Sequence, residues 1–288
     1  YATSAWYADI FWQDLHDHCV GHVNIDSPGA VGATALTPIG GMAETYAYSR
    51  EMFQQLYGES LPYQRIGRSG DQSFWGSGIP SACGKLFQQA NIDPQRKDLS
   101  GSFGWWWHNP GDTMDKIDPE NLRRDACVLL ASVYRIASAI VLPFNQSDAV
   151  DEIRTALDEI SAAAGETFDL SAAQQDADAL RQATEQFEAR AQQAVTDDEA
   201  QQLNACLMRL SRLLIPVNYT ESGPFGQDPA LGSLPLPGLR PAATLSSLPE
   251  QSDERLLALT SLRREMNRLR YALIEARRTI ESTLKPTG

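Results

Sequence analysis

Positive charge is scarce in this chain of 288 residues: 24 Lys and Arg face 37 Asp and Glu, for a formal net charge of −13. An acidic surface repels phosphate backbones, so nucleic acid and anionic lipid are not expected as partners. Cysteine is also sparse. Cys19, Cys83, Cys127 and Cys206 are widely spaced and include no CxxC pair. Neither a zinc ribbon nor a redox motif is available from them, and they are expected to be buried free thiols. Long apolar runs are missing too. The most apolar stretch, Ala126–Phe144, holds Tyr134 and Arg135 at its middle. A central Arg costs at least ~2.5 kcal/mol in lipid, so no membrane insertion is expected, and the stretch is expected to be a buried helix running into a strand or loop. The usual nucleophile and nucleotide signatures are absent. Ser69, in Gly67-Arg68-Ser69-Gly70-Asp71, lacks the second glycine of a nucleophile elbow. Gly84-Lys85-Leu86 lacks the Ser or Thr that closes a P-loop. Tyr1 opens the chain without Met or a basic-then-apolar leader, which gives the expectation of a piece of a longer protein.

What is present suffices for a core: 42% of residues are hydrophobic. Composition changes near residue 145, with all four His and most Gly before it and helix-forming Ala, Gln, Glu, Arg and Leu after it. Pro143 can end one element there, and Ser147 or Asp148 can cap the next. The expected fold class is therefore α/β followed by all-α, with domains at 1–146 and 147–288.

In the first part, Trp6, Ile10 and Gln13 fall on one helical face, with Ser4 as the expected cap. Cys19 to Asp26 predicts a strand with Val23 and Ile25 on one side. Ala43 to Tyr57 predicts a helix stopped by Gly58, and Gly78 to Cys83 a short strand. Asp118-Pro119-Glu120 starts a helix that continues through Leu122, Ala126, Leu129, Val133 and Ile136. Alternation of this kind points to an α/β layer structure. In the second part, Val150, Ile153, Leu157 and Ile160 have helical spacing. Ser171 to Gln174 and Thr196 to Glu199 have the capping-box form. Leu262, Met266, Leu269, Leu273, Ala276, Ile280 and Leu284 form one stripe, to be buried in its own bundle or in a second subunit. Ile215 to Pro249 is rich in Pro and Gly and predicts an irregular insert. Asn145-Gln146-Ser147 and Asn218-Tyr219-Thr220 fit the glycosylation acceptor pattern.

Two segments carry candidate chemistry. In His22-Val23-Asn24-Ile25-Asp26-Ser27-Pro28, Asp26 lies at the carboxyl edge of a predicted strand, where open α/β sheets bind ligands. A carboxylate suits zinc, although Asp is also common after strands for turn reasons. In Trp105-Trp106-Trp107-His108-Asn109-Pro110-Gly111-Asp112-Thr113-Met114-Asp115-Lys116-Ile117-Asp118, one His follows three aromatics and precedes a carboxylate-rich turn. A neutral imidazole is a good zinc ligand, and a nearby Asp can orient it. A lone His beside aromatics can equally be a packed structural residue.

Taken together and in order, these segments resemble the co-catalytic zinc exopeptidases, a family that includes aminopeptidases, glutamate carboxypeptidase II and the transferrin receptor. A strand ending Asn-x-Asp supplies one zinc ligand in that family, here Asp26. A later His before an Asp-Thr-x-Asp-Lys-like turn supplies the last, here His108. Between them stand an Asp/Ser-rich loop, Ser69 to Phe74, and a Gly-Ile-Pro strand, Gly78 to Ser81. Ser138 to Phe144 followed by helices is similar to the carboxypeptidase–receptor branch, whose C-terminal helices form a dimerisation domain. The resemblance implies the C-terminal part of a mixed-sheet α/β peptidase domain plus a dimerising helical bundle, with a peptide as substrate and two zinc ions as cofactor in the complete protein, Asp26 and His108 binding different ones. It further implies a homodimer and an extracytoplasmic setting. Asp71, Trp107, Asp112 and Lys85 take the places of residues supporting the ligands or lining the substrate pocket. His16, His18 and His22 match no family ligand.

The resemblance also implies an incomplete site. The family's other ligands and its general-base Glu precede the strand ending at Asp26, so no catalytic residue is expected within this chain. Two ligands rarely hold zinc tightly, and catalytic sites typically use ~three from protein. The paired Arg of the acidic-substrate branch is replaced by Ser81-Ala82-Cys83-Gly84-Lys85, and a Lys does not reproduce a forked Arg contact. Trp107 replaces a common Tyr, and Asp228 to Leu245 lacks that branch's Lys-Tyr pair. A non-catalytic receptor or scaffold of the same fold is the alternative, and a stand-alone helical partner-binding module is a third.

Overall fold

The computed structural model describes residues 1–68, 71–82, 86–89, 104–193, 196–230 and 232–285. The fold is mixed α/β with small sheets and many helices. It divides into two compact units, neither continuous in sequence: Gly21–Ile66 with Ser81–Ala139, and Tyr1–Val20 with Gly67–Pro80 and Ile140–Gly288.

The α/β unit holds strands β1 (His22–Val23), β2 (Ala33–Leu36), β3 (Ile39–Gly41), β4 (Tyr63–Arg65), β5 (Ser81–Ala82) and β6 (Phe87–Gln89). Four of them form a sheet in the order β1-β5-β3-β4, parallel at β1–β5 and β3–β4 and antiparallel at β3–β5, while β2 and β6 pair separately. Helix α3 (Ala43–Tyr57) ends where Gly58 takes φ +70° and donates its amide to Gln54, as its glycine predicts. Helix α4 (Pro119–Ser138) starts where the Asp118 carboxylate accepts from the amides of Glu120 and Asn121 at 2.8 and 3.1 Å. Ile39, Met52, Phe53, Phe87 and Val128 form the core. Burying each large side chain stabilises the unit by ~1.5–3 kcal/mol.

Several expectations for this unit change. The strand is His22–Val23, paired with Ser81–Ala82, rather than Cys19–Asp26. Ile25 is 61% exposed, so it does not share a buried face with Val23. The buried residues of α4 are Asp125, Val128, Ser132 and Ile136, whereas Leu122 and Val133 are exposed. The polar members earn their burial through bonds: Ser132 Oγ lies 3.4 Å from the Tyr48 hydroxyl, and Asp125 accepts from a loop amide. The helix ends at Ser138, five residues before Pro143, and the chain runs on without helix or strand to Phe144, as expected of a helix running into a loop, although Leu130, Val133 and Tyr134 on it are exposed rather than buried. Cys127 is exposed and Cys83 lies outside the described residues.

The helical unit comprises α1 (Ala2–Ile10), α2 (Trp12–His18), α5 (Gln146–Ala164), α6 (Ser171–Ala191), α7 (Asp197–Tyr219), a 3₁₀ segment (Pro237–Ser247) and α8 (Asp253–Thr283). The Val150, Ile153, Leu157 and Ile160 stripe of α5 is buried. In α8 the buried stripe runs from Leu262 to Ile280 and packs on α6 and α7, so this unit itself uses it up; Leu284 falls beyond the helix. Thr196 and Glu199 form the full capping box. Ser171 does not: Leu170 is the N-cap, and Asp169 accepts from the Ser171 amide at 2.9 Å. Asn145, rather than Ser147 or Asp148, caps α5. Ser4 lies inside α1, where its hydroxyl donates to Tyr1, and Trp6 and Ile10 are exposed.

The expected irregular insert is partly helical. Helix α7 continues through Pro216 to Tyr219, held by buried Leu213, Leu214, Ile215 and Tyr219, and Pro237–Ser247 forms 3₁₀ turns. One missing N–H in a last turn costs less than that burial gains. Asn218 is 2% exposed and donates to Glu152 at 2.7 Å, so its amide is not presented as a glycan acceptor.

Buried Arg212 joins the three stretches of this unit. Its guanidinium donates to carbonyls of Leu15, His16 and Cys19 around the end of α2 and to Gly78. Gly78 has φ +73°, and a Cβ there would lie 2.5 Å from the Arg212 Cα. Arg68 pairs with Asp228 at 2.8 Å, both side chains buried, and Asp228 accepts from the amides of Glu221 and Ser222.

Candidate functional site

Asp26 and His108 both belong to the α/β unit. After β1, the Asn24 amide donates to Ala82 at 3.2 Å, and the chain then leaves the sheet. Asp26 follows, exposed, and its carboxylate accepts from the Ser27 hydroxyl at 3.0 Å. Ser27 has φ +49° and Gly29 φ +78°. A Cβ on Gly29 would meet the Leu122 Cβ at 2.8 Å, so only glycine lets α4 approach the loop this closely.

Three side chains of α4 hold this loop. Asp125 accepts from the Gly29 amide at 2.8 Å, Asn121 donates to the Ala30 carbonyl at 2.9 Å, and Arg124 donates to the Ala33 carbonyl at 2.9 Å. Arg124 also donates to Asp125 at 2.8 Å and lies over the Phe87 ring at 3.4 Å. Sequence reasoning missed this group. Its only signal is polar side chains at Asn121 and Asp125, four apart on a helix whose remaining spacing reads as apolar.

The His108 segment folds on itself. The Trp107 amide donates to Gly104, the Asn109 amide to Trp106 and the Asp112 amide to Asn109. The Asn109 side chain spans the turn, donating to Trp105 at 2.7 Å and accepting from the Gly111 amide at 2.8 Å. His108 is exposed with φ +60°, and its ring stacks on Trp107 at 3.5 Å between centroids. Lys116 lies 5.7 Å from the Trp105 ring and pairs with Asp115, to which the Thr113 hydroxyl also donates. Burial lowers the pKa of His22, whose Nδ1 lies 3.2 Å from the Ser81 hydroxyl.

The two candidate segments pair with each other. Ala30 and Ile117 form an antiparallel bridge, the Asp118 amide donates to Gly29 at 2.8 Å, and the Val31 amide donates to Lys116 at 2.9 Å. Left-handed φ is unfavourable for side-chain-bearing residues and concentrates at functional sites. Among the described residues only Ser27, His108 and Leu236 adopt it without being glycine, and two of these three fall here.

Asp112 is exposed beside His108 in sequence, with its amide in the turn. Asp71 starts a 3₁₀ turn of the helical unit; its side chain, and the whole of Lys85, lie outside the described residues. His16 and His18 pair with Asp17 and Asp14 at 2.9 and 3.1 Å. Among the described residues no group of three or more His, Cys, Asp or Glu is placed to hold a metal, and no helix is long and apolar enough to cross a membrane. Asp26 and His108 are donors of the type zinc takes, and as a pair they fall short of a closed site. Neither the known protein-family models nor the curated proteins contain a match to this chain.

Proposed function

We propose that this chain is the rear portion of a zinc-dependent exopeptidase, in which Asp26 and His108 each contribute one metal ligand and residues outside the chain contribute the others. The observation that carries the reading is the backbone pairing of the two ligand-bearing loops at Ala30 and Ile117. Left-handed conformations at Ser27 and His108 support it, since strain of this kind is kept where side-chain direction matters.

Zinc, when bound, would polarise a scissile carbonyl and lower the pKa of water towards ~7. Asp26 is the carboxylate donor and His108 the imidazole donor, with Trp107 fixing the imidazole plane by stacking. Asp112 and Lys85 are supporting or substrate-contacting residues, and the proton acceptor is a Glu outside this chain. The chain alone then binds zinc weakly and leaves peptides intact. Calorimetry tests this: tight zinc binding, with micromolar or better affinity and lost in His108→Ala, contradicts the incomplete site. In the longer polypeptide, Asp26→Asn and His108→Ala each abolish release of terminal residues from peptides; full activity in both contradicts the peptidase reading.

A receptor or scaffold homologue is the second reading, with a homodimer through the C-terminal helices. Exposed Leu257 and Tyr271 on α8 support it, since the longer stripe is already covered. Sedimentation of only the monomer mass at micromolar concentration contradicts the homodimer.

A further inference from the structure

We propose that the outer face of α1 and α2, together with Phe225, is a docking surface for a cationic amphipathic peptide segment. Helix α1 buries only Ala8, and α2 buries no residue. Trp6, Tyr7, Ile10, Phe11 and Phe225 are between 41 and 76% exposed. Trp6 and Ile10 lie one helical turn apart, as do Tyr7 and Phe11, and exposed apolar residues neighbouring in this way mark an interaction site more often than scattered ones do.

The face is held rigid from behind. Arg212 binds the carbonyls at the end of α2, and the hydroxyls of Ser4 and Ser73 lie 2.9 Å apart. Trp12 donates its indole N–H to Pro224 at 2.9 Å and packs on Phe225 at 4.8 Å, so the Phe225 loop is fixed beside the helices. Tyr7 and Phe11 pack at 4.7 Å. A preformed aromatic surface loses little freedom on binding.

Charge selects the occupant. Asp9, Asp14 and Asp17 lie on the same two helices, and the first 49 residues contain no Lys or Arg. Lys and Arg side chains complement these carboxylates and also interact favourably with aromatic faces. Anionic lipid is repelled, and a second copy would bring the same acidic face against itself in a twofold interface. An apolar stretch for the rings, followed by cations for the carboxylates, satisfies both halves.

The test uses a labelled amphipathic helical peptide of Leu and Lys, its Leu/Glu counterpart, and fluorescence anisotropy with the whole chain. The Leu/Lys peptide binds and the Leu/Glu peptide does not, and raising salt from about 0.05 to 0.3 M weakens binding on the order of tenfold. The pair Trp6→Ala and Ile10→Ala, the pair Asp14→Asn and Asp17→Asn, and Phe225→Ala each weaken it about tenfold, while Tyr271→Ala on α8 has no effect. All these side chains are exposed, and circular dichroism checks that the fold is kept. Equal binding of both peptides, or insensitivity to the three face variants, overturns the proposal. So does a dimer dispersed by Trp6→Ala, which assigns the face to a second copy. Loss of the peptide signal in a longer form, with Trp6 and Ile10 covered by preceding residues, assigns it to an intramolecular contact and overturns it too.

Discussion

The Asp118 amide donates to the Gly29 carbonyl at 2.8 Å, tying the residue that caps α4 to the loop that carries Asp26. One residue therefore ends the His108 loop, starts a helix and fixes the other candidate segment. Three side chains from the first two turns of that helix then complete the attachment.

Asp125 is the most exacting part of this attachment. It is 3% exposed and accepts from both the Gly29 amide and Arg124. Asp125→Ala leaves the buried Gly29 amide without its acceptor and takes the carboxylate away from Arg124, which keeps only its neutral acceptors Asn121 and Ala33, at a cost of about 3 kcal/mol. Urea denaturation checks the loss, and a change below about 0.5 kcal/mol contradicts the clamp.

Arg212 has the same standing in the helical unit. Arg212→Met leaves the carbonyls at the end of α2 and at Gly78 without their donor, at a cost of about 3 kcal/mol. Arg212→Lys restores little of this, because an ammonium cannot reproduce a forked contact. Hydrogen exchange reads the effect locally: amides of Trp12–Cys19 lose protection in both variants, whereas unchanged protection there contradicts the arrangement.

Two glycines with nearly equal φ separate backbone strain from crowding. Gly58 has φ +70° and open space at its Cβ position, so Gly58→Ala costs about 1 kcal/mol. Gly78 has φ +73° with Arg212 backbone at 2.5 Å, so Gly78→Ala costs about 3 kcal/mol or more. Equal thermal shifts for the two variants contradict the close approach.

His22 gives the fold a pH dependence. Burial holds its imidazole below the ordinary range. Below about pH 6.5 the unfolded chain takes up a proton that the folded chain refuses. Its contribution is complete above that value and is lost as pH falls through it towards the folded pKa. The denaturation midpoint therefore drops more in the native chain than in His22→Gln between about pH 7.5 and 5.5. An equal drop in both contradicts the assignment.

Much of the helical pattern was legible because its signals are local. Gly58 after α3, Asp118-Pro119 before α4 and the Thr196–Glu199 box each act within one turn. Where a neighbour does the same job, the local signal misleads: Asp169 takes the place that Ser171 was expected to fill. The buried face of α4 could not be read from apolar spacing, because Asp125 and Ser132 are polar and only their long-range partners justify their burial. The composition of the helical unit was not legible either. Arg212 reaches Leu15 and Gly78 across 197 and 134 residues of sequence, and no spacing rule carries such contacts. At the candidate site, Asp26 and His108 could be picked out by residue type, whereas the left-handed backbone at Ser27 and His108 could not, since neither is glycine.

The most direct test of the proposed zinc site follows backbone and imidazole NMR signals of this chain during a zinc titration. The account predicts that the Asp26–Ser27 loop and the His108 loop both respond, each with weak apparent affinity, and that His108→Ala removes the response of the His108 loop. A response at only one of the two loops, or a response of the His108 loop that persists in His108→Ala, contradicts it.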